Sequence, residues 1–304
     1  MNDMIHLSPA VAEALQFGRA VVALESTIIT HGMPWPRNLE MARGVEALIR
    51  EEGAEPATIV VIDGTLHIGL TDEQLQTLAQ ARNVLKLSRA DLAYAVAAGR
   101  TGSTTVAATM IAAALAGVSV FATGGIGGVH RGAEASFDIS ADLEELARTP
   151  VIVVSAGAKA ILDLNKTFEV LETKGVPVVG FACDELPAFW SRTSGIPSPI
   201  RFDSATEIAR FQSARERLAI EGGMLIANPL PAEHEIDAET VGGWIGRALA
   251  DATEAGVVGK ATTPYLLQRI FELSEGRSLA SNIELVRSNA RLAAQIAVEL
   301  ATDR

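Results

Sequence analysis

Short apolar runs rich in β-branched residues alternate along this chain with stretches whose apolar positions recur every three or four residues. The first kind, over 20–24, 58–62, 118–123, 151–154, 178–181 and 224–227, predicts buried strands. The second predicts helices over 39–51, 71–82, 104–115, 143–147, 206–221, 235–255, 264–275 and 279–301. Thr71, followed by Glu73 and Gln74, supplies a helix N-cap and an acidic first turn. Strands alternating with helices predict an α/β fold: a mostly parallel sheet with helices on both faces, an α/β/α sandwich. Neither a fixed-period repeat nor a Gly/Ser- or Pro-rich linker divides residues 1–304, so they read as one domain.

Small and polar residues gather where the strands end. Glu25, Ser26 and Thr27 follow the first strand, DGTLHIG the second, TGGIGGVHRGAE the third, SAGAK the fourth and NPLP the last. Open α/β sheets take their ligands at the carboxyl edge of the strands, so this pattern points to one shared rim and to an enzyme.

The chain is 48% hydrophobic and 20% charged, with a formal net charge of −12. An acidic chain of this kind lacks the basic surface on which nucleic-acid binding runs. Its single cysteine, Cys183, excludes an internal disulfide framework, reads as core filler, and together with an N-terminus lacking a basic-then-apolar signal suggests a cytoplasmic enzyme. The apolar stretch 106–122 is broken by Thr109, Gly117 and Ser119 and reads as a helix followed by a strand, with no membrane span.

Five lysines, Lys86, Lys159, Lys166, Lys174 and Lys260, stand among 25 basic residues. Lys159 is the one in a context of small residues. It follows the strand 151–154 through Ser155, Ala156, Gly157 and Ala158, and the apolar positions Ile161, Leu162, Leu164, Phe168 and Val170 put it on the first turn of a helix. An ammonium there is either paired with Asp163 four residues on or serves as a nucleophile towards carbonyl carbon. Glu25, a carboxylate at a buried strand end, either caps a turn or acts as acid and base.

GRTGSTTVAATM places hydroxyls before a helix starting near Ser103 or Thr104, either an anion site or an ordinary cap. The glycines 124, 125, 127 and 128 imitate a dinucleotide loop, but no helix opens directly after them. His130, Arg131, Glu134, Asp138 and Asp142 follow. Carboxylates without sulfur ligands suit Mg²⁺ or Mn²⁺, and Asp138 and Asp142, four apart, could share a helix face or form a solvated acidic helix start. His31 remains undecided, His67 reads as a satisfied core histidine, and Trp35 and Trp190 shape either a pocket or a subunit interface.

Taken in order, ALESTIITHGMPWPRN, DGTLHIGL, GRTGSTTVAATM, ATGGIGGVHRGAEASFDISADL, VVSAGAKAILDLNKTFEVLETKGVPVVGF, PAFWSRTSG, IANPLP and SNIELVRSNA resemble the pseudouridine-5'-phosphate glycosidase family, which includes the indigoidine-synthase-A-like proteins. The resemblance runs through nearly the whole chain. It implies reversible cleavage of the C–C glycosidic bond of pseudouridine 5'-phosphate to uracil and ribose 5-phosphate, with Mn²⁺ or another divalent metal, in a homotrimer. It implies Lys159 as the covalent nucleophile at C1' of the ring-opened sugar, Glu25 as acid/base and Asp142 as metal ligand. Lys86, Val106, Thr123, His130, Ser140 and Asn282 are implied in substrate binding, with Asn282 at the uracil. Cys183 and Leu186 depart from the family pattern and bear on pocket shape. Related activities on another phosphorylated C- or N-glycoside, and a non-catalytic phosphosugar-binding protein, are the alternatives.

Overall fold

The computed structural model describes residues 4–257 and 262–302. Lys260 lies outside them. The strands are β1 (Ile5–Leu7), β2 (Val21–Leu24), β3 (Glu55–Ile62), β4 (Thr65–Ile68), β5 (Leu85–Leu87), β6 (Gly102–Thr104), β7 (Val120–Ala122), β8 (Ile152–Ser155), β9 (Val178–Phe181), β10 (Ile200–Phe202) and β11 (Met224–Ala227). They form one mixed sheet in the order β1-β4-β3-β2-β7-β8-β11-β9-β10, with β6 on β3 and β5 on β6. From β3 through β10 every neighbour in that order is parallel. Each residue of β2, β7, β8 and β11 is buried, as expected of parallel strands covered on both faces. The helix Arg277–Thr302 packs on β2, β7 and β8 from one side, and Val106–Ala116 packs on β2, β3 and β7 from the other.

Strand order reverses between β2 and β7. From β2 the chain steps outward to β3, whereas from β7 it steps the other way to β8. A crevice opens outside the carboxyl ends of the strands at such a switch point. Register sharpens it: Leu24 pairs with Ala122, and Ala122 with Val154. The next residues, Glu25, Thr123 and Ser155, therefore stand in a row at the rim.

Several expectations change. DGTLHIG is not a rim loop. Asp63 and Gly64, at φ 47° and 81°, form a two-residue turn that sends β4 back antiparallel along β3. Asp-Gly is the residue pair such a turn demands. Residues 102–104 form β6, so the helix expected from 104 begins at Val106 with Thr105 before it. The helix after Lys159 begins only at Leu164, because Asp163 accepts the Lys166 N–H at 3.1 Å as its N-cap. Asp138 precedes the helix Ala141–Arg148 and shares no helical face with Asp142. His67 sits on β4, its ring 5.0 Å from that of His6 and its buried Nδ1 without a hydrogen-bond partner among the described residues, so it is not a satisfied core histidine. Burial, then the neighbouring His6, pushes its imidazole below the usual value. Cys183 is half-buried beside Ser198, and burial raises its thiol.

Candidate active site

A cavity of about 430 Å³ lies over the β2/β7 switch point. Its walls include Glu25, Lys86, Val106, His130, Ser140, Asp142, Lys159 and Asn282. Segments more than 250 residues apart thus meet at one place, and each is put there for a local reason.

Glu25 follows β2. The Thr123 hydroxyl donates to its Oε1 and the Thr27 hydroxyl to its Oε2. Thr123 itself is 1% exposed and sits behind Glu25 instead of on the cavity wall. Its backbone carbonyl accepts the Asn289 amide at 2.8 Å, and Asn289 in turn accepts from Asn228 after β11 at 2.9 Å. Asn289 is fully buried on the helix Arg277–Thr302. This chain of hydrogen bonds docks that helix onto the strand ends, so that Asn282, Leu285 and Val286 roof the cavity.

Lys159 lies in the loop between β8 and the helix Leu164–Thr173. Gly157 (φ 81°) turns that loop. The Lys159 N–H donates to Ile126 O at 3.1 Å and Ile126 N–H to Gly157 O at 3.0 Å, which bind the loop to the glycine-rich one after β7. The alternative of an ion pair between Lys159 and Asp163 is not realised: Asp163 pairs with Lys166 at 3.1 Å. Lys166 also pairs with Glu134, and Lys174 with Glu144. Among the described residues, the Lys159 ammonium has no carboxylate partner. It is half-buried and faces the cavity.

The glycines after β7 are needed for close approach. A Cβ on Gly125 would stand 2.6 Å from the Phe189 ring, and one on Gly127 would stand 2.7 Å from Asp142 Oδ2. Asp142 is 5% exposed, and its two oxygens accept the Gly127 and Ala107 N–H groups at 2.7 and 2.9 Å. Ser140 caps the same helix, accepting the Asp142 N–H at 3.2 Å. Each Asp142 oxygen retains a further lone pair. No group of three metal-ligating side chains occurs among the described residues. A cation at Asp142 would therefore be held by one carboxylate with substrate and water oxygens, which a hard divalent ion accepts.

His130, Asp138 and Asp142 reach the cavity, while Glu134 turns to Lys166 and Arg131 to a separate cleft beside Asp163. The run between His130 and Asp142 is thus split. His31, undecided in the sequence, also lines the cavity. Enclosure and then the Lys86 charge push its imidazole below the usual value, against a smaller opposing pull from the Val84 carbonyl. Thr105 lines the wall with a buried hydroxyl that has no hydrogen-bond partner among the described residues. Phe189, Leu267, Leu285 and Val286 give the cavity an apolar side that sequence spacing could not assign, since they come from a loop and two distant helices. Cys183 and Leu186, the departures from pattern, are not on its wall.

The profile of the indigoidine synthase A like protein family matches residues 10–299. The chain belongs to that family. It is 62% identical over 302 residues to a pseudouridine-5'-phosphate glycosidase of Jannaschia sp., covering 99% of this chain and 100% of that one. It is 66% identical over 296 residues to pseudouridine-5'-phosphate glycosidase 1 of Rhizobium johnstonii, covering 97% and 93%. The structure of the prealnumycin C-glycosynthase AlnA in complex with ribulose 5-phosphate superposes with a TM-score of 0.92 at 38% identity, over 100% of this chain and 99% of the other. An indigoidine synthase A-like protein from Thermotoga maritima gives 0.89 at 33% identity, over 98% and 97%. Among the described residues, no helix is long and apolar enough to cross a membrane.

Proposed function

We propose that this chain is an enzyme that reversibly cleaves the C–C glycosidic bond of pseudouridine 5'-phosphate, giving uracil and ribose 5-phosphate. The observation that carries the reading is Lys159, half-buried without a carboxylate partner among the described residues, on the same cavity wall as Glu25. The end-to-end likeness to curated glycosidases supplies the substrate.

The bond dictates the chemistry. Carbon 5 of uracil is a poor leaving group, so the two-carboxylate route of ordinary glycosidases is unattractive. Glu25 gives a proton to the ring oxygen as the C1'–O bond breaks, and the pyrimidine supplies the electron pair of a C1'=C5 double bond as its N1 loses a proton. The Lys159 amine adds to C1', the electrons return to the ring, and a proton passes from the new ammonium to the ring N1, which restores a lone pair on the nitrogen. The nitrogen lone pair then expels C5, which takes a proton, and leaves an iminium at C1'. Water hydrolyses the iminium to ribose 5-phosphate and frees the lysine. Lys86 and His130 meet the phosphate, and the apolar side around Phe189, Leu285 and Val286 takes the base. A divalent ion held by Asp142 would supply positive charge and Lewis acidity to the sugar phosphate.

The test is mass spectrometry of the protein incubated with ribose 5-phosphate, Mn²⁺ and borohydride, followed by peptide mapping. A reduced sugar-phosphate adduct on the Lys159 peptide is expected. No adduct, or one spread over surface lysines, overturns the nucleophile. The likeness to a C-glycosynthase favours a second reading, bond formation to another acceptor, which is separated by comparing rates with uracil and with other carbon nucleophiles.

A further inference from the structure

Asn282 projects from the helix Arg277–Thr302 into the cavity, and the Trp190 indole N–H meets its amide at 2.7 Å. An indole nitrogen only donates. The amide atom facing it is therefore the oxygen. Among the described residues, no hydrogen bond takes the amide nitrogen. From these contacts we infer that Trp190 is a positioning residue that fixes which way the Asn282 amide turns, holding its oxygen at the indole and leaving its two N–H donors for the cavity. The site would then select a heterocycle with a carbonyl oxygen at that point and refuse one with an amino group there. The inference rests on the proposed pseudouridine-phosphate reading and adds to it the polarity of base recognition.

Trp190 is built to hold this orientation. It is 1% exposed, its ring stands edge-on to Phe189 at 5.1 Å, and its own carbonyl accepts the Ile236 N–H at 3.0 Å. Phe189 is on the cavity wall, so the indole is fixed one layer behind the surface that meets the base. A free amide can pair with either a donor or an acceptor by turning over. A locked one cannot, and an opposing amino group would bring two donors together with both left unsatisfied. Sites that hydrogen-bond a substrate group discriminate through this penalty.

The polar alternatives on this side of the cavity are few. Gly124, Gly125, Leu285 and Val286 offer no side-chain hydrogen bond to a base edge. The amide direction therefore bears directly on which pyrimidine is accepted.

The experiment compares uracil with cytosine and isocytosine, which carry an amino group at one or the other carbonyl position, in synthesis from ribose 5-phosphate. The wild type should prefer uracil over at least one analogue by about tenfold or more, the worth of one lost hydrogen bond. Asn282→Asp keeps an acceptor for the indole but presents an acceptor to the base. It should erase or reverse the preference against that analogue. Trp190→Phe removes the indole N–H and keeps an aromatic ring. It should raise the uracil KM by about tenfold and narrow the preference, with kcat and the ribose 5-phosphate KM moved far less.

A general loosening of the fold would instead move both KM values together, and thermal melting checks it directly. An unchanged base preference in Asn282→Asp, or a wild type that accepts both amino analogues as well as uracil, overturns the inference. A wild type inactive with uracil and ribose 5-phosphate overturns the functional reading itself, so the two failures are told apart.

Discussion

Glu25 and Thr123 stand side by side at the ends of two adjacent parallel strands, and the Thr123 hydroxyl donates to the Glu25 carboxylate. The register Leu24↔Ala122 makes them neighbours, although 98 residues separate them in sequence. With Thr27 on the other oxygen, the carboxylate is held from both sides. Glu25→Gln should lower kcat by about 10²- to 10⁴-fold, the span of general acid–base catalysis. Thr123→Val removes one support and should cost about tenfold, with Thr123→Ser restoring most of it. Steady-state rates on pseudouridine 5'-phosphate check both. A Thr123→Val rate equal to wild type means that the hydroxyl does not position Glu25.

Lys159 gives the sharpest separation of activity from stability. It makes no ion pair among the described residues, so Lys159→Ala should change the stability by about 0.5 kcal/mol or less. Turnover should be abolished, and Lys159→Arg should not restore it, because a guanidinium does not deprotonate in proteins. Melting curves beside rate measurements decide the matter. A Lys159→Arg enzyme with substantial turnover removes the lysine from the covalent step.

What the sequence could convey here divides along physical lines. The buried parallel strands were legible because their apolar runs, such as 151–154 and 224–227, are nearly continuous. The helix before β7 and the rim position of Glu25 followed from the same reading. The strands at the sheet's antiparallel end, β1, β4, β5 and β6, leave no such trace in the sequence. They are three or four residues long, and their pairing is set by the Asp63-Gly64 turn and by tertiary contact instead of by periodicity. Lys159 precedes the helix Leu164–Thr173 instead of standing on its first turn, since the apolar Ile161 and Leu162 suit a buried loop as well as a helix start. The motif residues were legible as motifs, yet the roles of Thr123 and Trp190 were not. Each acts by hydrogen-bonding another side chain far away in sequence, and spacing carries no trace of that.

Asp142 ties the glycine-rich loop after β7 to the first turn of the helix Val106–Ala116, as well as facing the cavity. Its buried carboxylate accepts the Gly127 and Ala107 N–H groups. Asp142→Ala leaves both donors without an acceptor, at a cost of about 3 kcal/mol, a drop of several degrees in Tm. If Asp142 also holds the metal, activity should fall further than folding explains, and excess Mn²⁺ should not restore it. Calorimetric titration with Mn²⁺ beside melting separates the two effects. Undiminished Mn²⁺ binding in the folded variant would place the metal elsewhere.

Lys86 and His31 share the cavity, and the lysine charge helps to hold the imidazole neutral. Lys86→Met should therefore raise the His31 pKa towards the usual histidine value. Histidine ring resonances followed by NMR across pH 4–8 report it directly. A His31 titration unmoved by Lys86→Met means that enclosure alone sets it.

Glu46 offers a pH test away from the cavity. It lies buried on the helix Arg37–Glu51, with the Thr58 hydroxyl donating to it at 2.7 Å and the half-exposed Arg50 at 3.5 Å. Burial pushes its carboxyl above the ordinary range, and these two partners only partly offset the shift. Between the ordinary carboxylate value and the raised one, the folded chain keeps a proton that the unfolded chain has released. Stability therefore falls as pH rises through that window, stays lowered above it, and is unaffected below it. Glu46→Gln keeps the shape and the acceptor for Thr58 but cannot ionise. Its loss of the Arg50 pair costs little, because exposed pairs are worth about 0–1 kcal/mol. The variant should match wild type at pH 4 and melt higher than wild type at pH 8. A variant that melts lower at pH 8 would mean that Arg50 and Thr58 together outweigh the cost of burying the charge.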